Sequence, residues 1–266
     1  MDAYDKVKLS RAKGRPTASA YIQNLFEDFI ELHGDRRYAD DPAVIGGIGL
    51  LNGRPVTVIG IEKGIDTMDK IHRNFGAPGP EGYRKALRLM KQAEKFCRPV
   101  FCIVDTAGAN CDMGAEERGQ GQAIAENLME MMTLRTPILS LFVGEGGSGG
   151  ALALAVADQV WMMENAYYSV ISPEGCASIL WKDAKRVKEA CESLHLTAQD
   201  MLELGTAERI FEEPADGFET VWPEIHAAAI ESFEAAEQLP VEELLERRYQ
   251  RFRSYGRWIQ DESESS

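Results

Sequence analysis

From Pro137 to Asp158 the chain reads PILSLFVGEGGSGGALALAVAD, and the rest of the fold is read outward from this stretch. Ile138 to Val143 is an apolar run of strand type, and five glycines follow between Gly144 and Gly150. Ala151 to Ala157 then predicts a small-residue helix. A strand, a glycine turn and a helix start leave backbone N–H groups without partners, at the positive end of the peptide dipoles and with no Cβ in front of them. Such a turn receives negative charge on oxygen: a phosphate, a tetrahedral acyl intermediate or an enolate.

Three patterns fit the loop. Gly144, Gly146 and Gly149 spell G-x-G-x-x-G, with Glu164 near the position of a ribose-binding acid. That fingerprint normally opens the first βαβ unit of a domain, whereas this one follows a hairpin and two helices. Gly146, Ser148 and Gly150 spell G-x-S-x-G, the nucleophile elbow of serine hydrolases. A triad would need a later histidine, and only His195 and His226 follow Ser148. His195 reads as a helix-end residue and His226 as part of an amphipathic helix begun by Trp222 and Pro223. The third pattern, an oxyanion hole of backbone N–H groups, asks only for glycines and a helix start. A serine hydrolase or peptidase using Ser148 and a non-catalytic thioester-binding module are the competing functions. Labelling of Ser148 by a fluorophosphonate would mark the hydrolase.

Composition sets the boundaries. The chain has 266 residues, 44% of them hydrophobic, enough to bury one large core. A net charge of -14 argues against nucleic-acid binding. Basic residues gather only at Lys6, Lys8, Arg11, Lys13 and Arg15, so residues 1–15 read as a mobile basic arm. No apolar targeting segment follows it, and no run is long enough to span a membrane. The five cysteines form no C-x-x-C pair and no zinc pattern; they read as free thiols of a cytoplasmic protein, Cys111 alone lying in a polar loop.

Along the chain, Tyr21 to Leu32 predicts an amphipathic helix. Asn52-Gly53 joins VIGGIGLL to RPVTVIGI as a two-residue hairpin. The polar segment Lys63 to Gly79 is longer than an ordinary connection. Helices are expected over 80–96 and 114–135, and strands over 99–104, 159–163 and 167–171. The PEGCASILW helix, a helix at 198–204, a strand at 209–211 and two final helices complete an α/β order of repeated ββα units. The main domain is expected over 16–256, and residues 257–266 form an acidic tail of disordered composition.

EGYRKALRLM, GAEERGQ, GEGGSGGALAL, YSVISPEGCASILW and RRYQR occur in this order. Together they resemble the alpha subunit of the bacterial acetyl-CoA carboxylase carboxyltransferase, over about Arg15 to Gly256. The resemblance implies a crotonase-like superhelix of ββα units with C-terminal helices. It implies transfer of a carboxyl group from carboxybiotin, held on a separate biotin carboxyl carrier protein, to acetyl-CoA, giving malonyl-CoA for fatty acid synthesis. It further implies a zinc-ribbon beta subunit, an α2β2 assembly, and no metal in this chain.

By the same resemblance, the alpha-subunit donor pair falls on the N–H groups of Gly149 and Gly150, for either the thioester or the biotin oxygen, the thioester being favoured. Gly147, Ser148, Gly108 and Ala109 are expected to line the substrate, and Gly175 lies in a turn expected near the glycine loop. In the polar stretch from Asp69 to Lys85 itself, Lys70, Arg73, Arg84 and Lys85 are candidate cations for coenzyme A phosphates, Arg73 first among them, and each reads equally as a solvated face or a structural ion pair. Where the family commonly has IDTPGAYPG, this chain has VDTAGANCD from Val104 to Asp112. The long helical N-terminal region usual in the family is largely missing before RPTASAY.

Overall fold

The computed structural model describes residues 1–214 and 217–256, so the acidic tail expected at 257–266 lies outside the described residues. In place of a mobile arm, Ala3–Ser10 forms helix α1, capped by the Asp2 carboxylate, which accepts from Asp5 N at 2.7 Å. Val7 on this helix is fully buried with Tyr167, Cys191 and Leu196. Arg11 and Arg15 reach back to Glu145, Glu174 and Glu213. Burial of Val7 and these charge-assisted contacts together outweigh the entropy of a free terminus.

Helix α2 (Ala18–Leu25) is shorter than its apolar spacing predicts, and strand β1 (Glu27–Glu31) follows it. The cause lies in the neighbouring strand β2 (Val44–Leu51): a Cβ at Gly47 or Gly49 would collide with the β1 backbone at Ile30 or with Phe26. Without those side chains β1 pairs on β2, and sheet pairing overrides the helical period of Ile22, Leu25, Phe26 and Phe29. The hairpin to β3 (Arg54–Ile61) is as expected: Asn52 and Gly53 have φ of 52° and 73°, the left-handed pair of a type I′ turn.

The segment after β3 contains α3 (Thr67–His72), and α4 (Pro80–Lys95) begins with proline at its first position. Strand β4 (Val100–Thr106) follows. The single helix expected over 114–135 is two, α5 (Met113–Glu117) and α6 (Gln120–Thr133), because Gly119 between them takes a left-handed φ of 86°. Strand β5 (Ile138–Gly147) continues through the first glycines, and α7 (Ser148–Leu152) starts earlier and stops sooner than predicted. Then come β6 (Gln159–Met163), β7 (Tyr167–Ser169), α8 (Pro173–Trp181), α9 (Val187–Leu194), α10 (Ala198–Glu203) and β8 (Arg209–Phe211). Two helices, α11 (Val221–Glu237) and α12 (Val241–Arg253), close the described chain. Arg248, from the RRYQR motif, is buried and ties α12 to Asp158 and to the carbonyls of Met131, Leu134 and Thr136.

One sheet runs β1-β2-β3-β4-β5-β6-β8, antiparallel across the first three strands and parallel thereafter, with β7 added in parallel to residues 145–147 of β5. Every residue of β4 and β5 is buried, as expected for parallel strands covered on both faces. The strands β3, β4 and β5 therefore end side by side. Their ends deliver Lys63, the loop after Asp105 and the glycine segment to one place. Among the described residues no helix is long and apolar enough to cross a membrane.

Candidate active site

The glycine segment owes its composition to crowding. A Cβ at Gly144 would strike the Asp105 carboxylate, and one at Gly146 would strike Phe142. At Gly147 it would enter the carbonyl of Ala107, and at Gly150 it would lie 2.5 Å from Ala109 N and 2.9 Å from the Tyr83 hydroxyl. The loop Ala107–Ala109 is thus pressed directly on the turn into α7. Tyr83, itself fully buried, donates to Gly150 O at 3.1 Å and pins the turn from the α4 side.

Between these glycines stands Ser148, exposed and at φ 54°, a left-handed conformation that costs an L-residue about 1–2 kcal/mol. This sharp bend ends β5 and turns the chain into α7, whose first N–H groups have no intrahelical acceptor. Among the turn and loop bonds of the described residues, Gly149 and Gly150 donate to no protein carbonyl. Beside them opens a cavity of about 320 Å³ lined by Ser148, Gly149, Leu152, Tyr168, Val170 and Met201. Its walls are mostly apolar, so a charge on oxygen placed there would interact with the N–H groups at low dielectric.

Behind the turn lies a cluster that sequence reasoning did not pick out. Glu145 Oε2 accepts from Lys63 Nζ at 2.6 Å, and Oε1 accepts from Arg11 Nε at 2.7 Å and from the Tyr167 hydroxyl at 2.8 Å. Lys63 also pairs with Asp105 at 2.7 Å, and Asp105 Oδ1 accepts from Glu145 N at 2.8 Å. Burial alone would raise the Glu145 carboxyl, but Lys63 and then Arg11 outweigh it and hold it down at about 2. The sequence signal was available: Lys63, Asp105 and Glu145 each end or interrupt an apolar strand, where a charge needs a partner.

The residues singled out from sequence separate into three groups. Gly108, Ala109, Gly147, Ser148, Gly149 and Gly150 come together at the turn. Gly175 does not present a free donor, since its N–H donates to Ser172 Oγ at 3.1 Å as part of the α8 cap. Arg73 borders a larger cavity of about 850 Å³, while donating to Pro42 O at 2.8 Å and pairing with Asp69 at 3.2 Å. Arg84 and Lys85 are internal: Arg84 pairs with Asp35 and Glu81, and fully buried Lys85 with Asp40. In the altered loop, Asp112 caps α5 through Ala115 N at 2.7 Å.

The hydrolase reading finds no base. His195 terminates α9 in a left-handed conformation and is 71% exposed, 3.7 Å from Asp200, and His226 lies within α11. Among the described residues Ser148 has no histidine as a hydrogen-bond partner. Three of the cysteines, Cys102, Cys176 and Cys191, are buried, whereas Cys97 and Cys111 are exposed.

The described residues thus form a mixed sheet, parallel from β3 onward, whose central strand β5 ends in a glycine turn at the start of α7. The model of a family described as acetyl co-enzyme A carboxylase carboxyltransferase-like matches residues 1–256. The alpha subunit of acetyl-coenzyme A carboxylase carboxyl transferase from Ruminiclostridium cellulolyticum is 57% identical over 256 residues, covering 96% of this chain and 98% of that protein. A beta/alpha protein of the same name from Natranaerobius thermophilus is 56% identical over 262 residues, and this chain spans 43% of its length. Among solved structures, the hexameric transcarboxylase 12S core with methylmalonyl-coenzyme A bound superposes with a TM-score of 0.68 at 18% identity. That match covers 84% of this chain and 42% of the transcarboxylase chain. The chain belongs to the acetyl co-enzyme A carboxylase carboxyltransferase-like family.

Proposed function

We propose that this chain is the alpha half of a split carboxyltransferase site, moving a carboxyl group from carboxybiotin on a carrier protein to acetyl-CoA. Family membership supports the reaction. The observation that carries the mechanism is the pair of N–H groups, Gly149 and Gly150, which donate to no protein carbonyl among the turn and loop bonds of the described residues, with Gly150 pressed against Gly108 and Ala109.

Carboxybiotin, bound on its carrier, would supply the carboxyl group and, through its ureido group, a base for the thioester methyl proton, so that negative charge would develop on two oxygens, one on biotin and one on the thioester. Gly149 and Gly150 hold one of them, and a preorganised donor is worth about 3–4 kcal/mol there. The second pair comes from a beta subunit of related fold with a zinc ribbon, in an α2β2 assembly; the fused beta/alpha relative supports that partnership. Gly147, Ser148, Gly108 and Ala109 shape the substrate side of the turn, and Arg73 offers its remaining donor capacity to a coenzyme A phosphate. Gly175 supports this side indirectly, through the start of α8. Five free cysteines agree with a cytoplasmic setting.

The assembly is tested by malonyl-CoA decarboxylation or biotin carboxylation with and without the beta subunit. The chain alone is expected to be inactive, and the added subunit to restore turnover. Full activity of the isolated chain would contradict a split site.

A further inference from the structure

Arg11 sits just beyond α1, far from the glycine turn in sequence, yet it bridges two elements that flank the turn. Its Nε donates to Glu145 on β5 at 2.7 Å, three residues before Ser148, and its Nη1 donates to Glu174 in the first turn of α8 at 2.6 Å. The Tyr167 hydroxyl on β7 closes the triangle, 3.4 Å from Arg11 Nη2 and 2.8 Å from Glu145. Strand β7 pairs with the glycine segment, Gly147 opposite Ser169, and leads through Val170 to α8. One guanidinium thus contacts β5, which leads into the turn, β7, whose Tyr168 and Ser169 line the smaller cavity, and the start of α8 beyond it.

Besides Arg11 and the Tyr167 hydroxyl, Glu145 is held by Lys63, which also engages Asp105 before the Ala107–Ala109 loop. Removing Arg11 leaves Lys63 as the sole cation on Glu145 and frees Glu174. The planar fork of arginine suits this task, since two carboxylates at different angles must be met at once. A lysine could reach one of them. Glu145 is 9% exposed while Arg11 is 34% exposed, so the clamp is accessible from solvent although its target is buried.

We propose that Arg11 is a positioning residue. It holds β5 and α8 at a fixed separation and so fixes the direction of the Gly149 and Gly150 N–H groups. The inference rests on the proposed carboxyltransferase reading for its catalytic consequence, but its structural consequence stands apart from it.

The test compares wild type, Arg11→Ala and Arg11→Lys as full-length chains assembled with the beta subunit. Amide exchange, followed by mass spectrometry, is expected to speed up in residues 144–152 of Arg11→Ala and to stay unchanged in residues 54–61 of the hairpin. Turnover is expected to fall about tenfold to a hundredfold at constant acyl-CoA KM, the scale of a small misplacement at a catalytic group. Added methylguanidinium should restore part of it, and Arg11→Lys should lie between the two. Unchanged exchange at 144–152 would overturn the proposal, as would a loss of turnover that neither methylguanidinium nor Arg11→Lys relieves. An inactive wild type would instead refute the functional reading, and the exchange data would still decide the role of Arg11.

Discussion

Two turns in this chain depend on glycine for opposite reasons. At the hairpin, Gly53 has φ 73° and a Cβ there would meet nothing within 4 Å: the backbone angle demands glycine and the space does not. At the donor turn, none of Gly147, Gly149 and Gly150 is left-handed, and the left-handed position is taken by Ser148. There, at Gly147 and Gly150, the space demands glycine, because Ala107–Ala109 lies where their side chains would be. The hairpin turn serves folding and faces solvent; the donor turn brings two segments together so that backbone N–H groups form a surface. A glycine kept for its φ therefore marks a bend, and one kept for lack of room marks a close approach.

Substitutions at each turn separate these reasons. The largest effect is expected at Gly150→Ala, whose new methyl must displace Ala109 N or the Tyr83 hydroxyl and with them the donor. Loss of one donor corresponds to a drop of about a hundredfold to a thousandfold in turnover. Gly149→Ala is the paired control, since its Cβ would lie an ordinary 3.6 Å from Ile124, and steady-state kinetics of the two assembled variants should diverge sharply.

Charge distinguishes the regions next. The donor segment contains buried Glu145, whose carboxyl is depressed from 4.5 to about 2, with burial opposing and Lys63 and Arg11 prevailing. A carboxyl depressed on folding contributes stability that is present above its unfolded value and disappears as pH falls through the folded one. Unfolding monitored between pH 5 and pH 2 should show about 3 kcal/mol of this dependence, absent from Glu145→Gln. A similar acid profile in that variant would place the loss elsewhere.

The smallest of the three effects belongs to the hairpin. Gly53→Ala puts an L-residue at a left-handed φ and should lower stability by about 1–2 kcal/mol in denaturant titration. Turnover should not change, because nothing in the hairpin turn touches the site.

The hairpin was fully legible in the sequence, since Asn52-Gly53 carries its own geometry. The glycine turn itself was legible too, as a strand that breaks into glycines before a helix start. What the sequence obscured was local pattern overruled by distant neighbours. Ile22, Leu25, Phe26 and Phe29 keep helical spacing, yet β1 forms because Gly47 and Gly49 leave an edge open to it. Gly119 falls inside the single helix expected over 114–135 and instead divides it. The ion cluster was the least visible, because Glu145 takes its partners from 40, 82 and 134 residues away. For Arg84 and Lys85 the structural ion pair is the reading that holds, and most of their acids were hidden from the sequence because Asp35 and Asp40 lie on the loop before β2.

The central claim is that backbone donors, with no side-chain nucleophile, carry the chemistry at this turn. The most direct measurement is the carboxyl-transfer turnover of Ser148→Ala assembled with the beta subunit, at saturating acetyl-CoA. It should remain within about tenfold of wild type, well short of the hundredfold or greater loss that a missing donor causes. A folded, assembled Ser148→Ala enzyme without activity, beside an active Gly150→Ala, would contradict it.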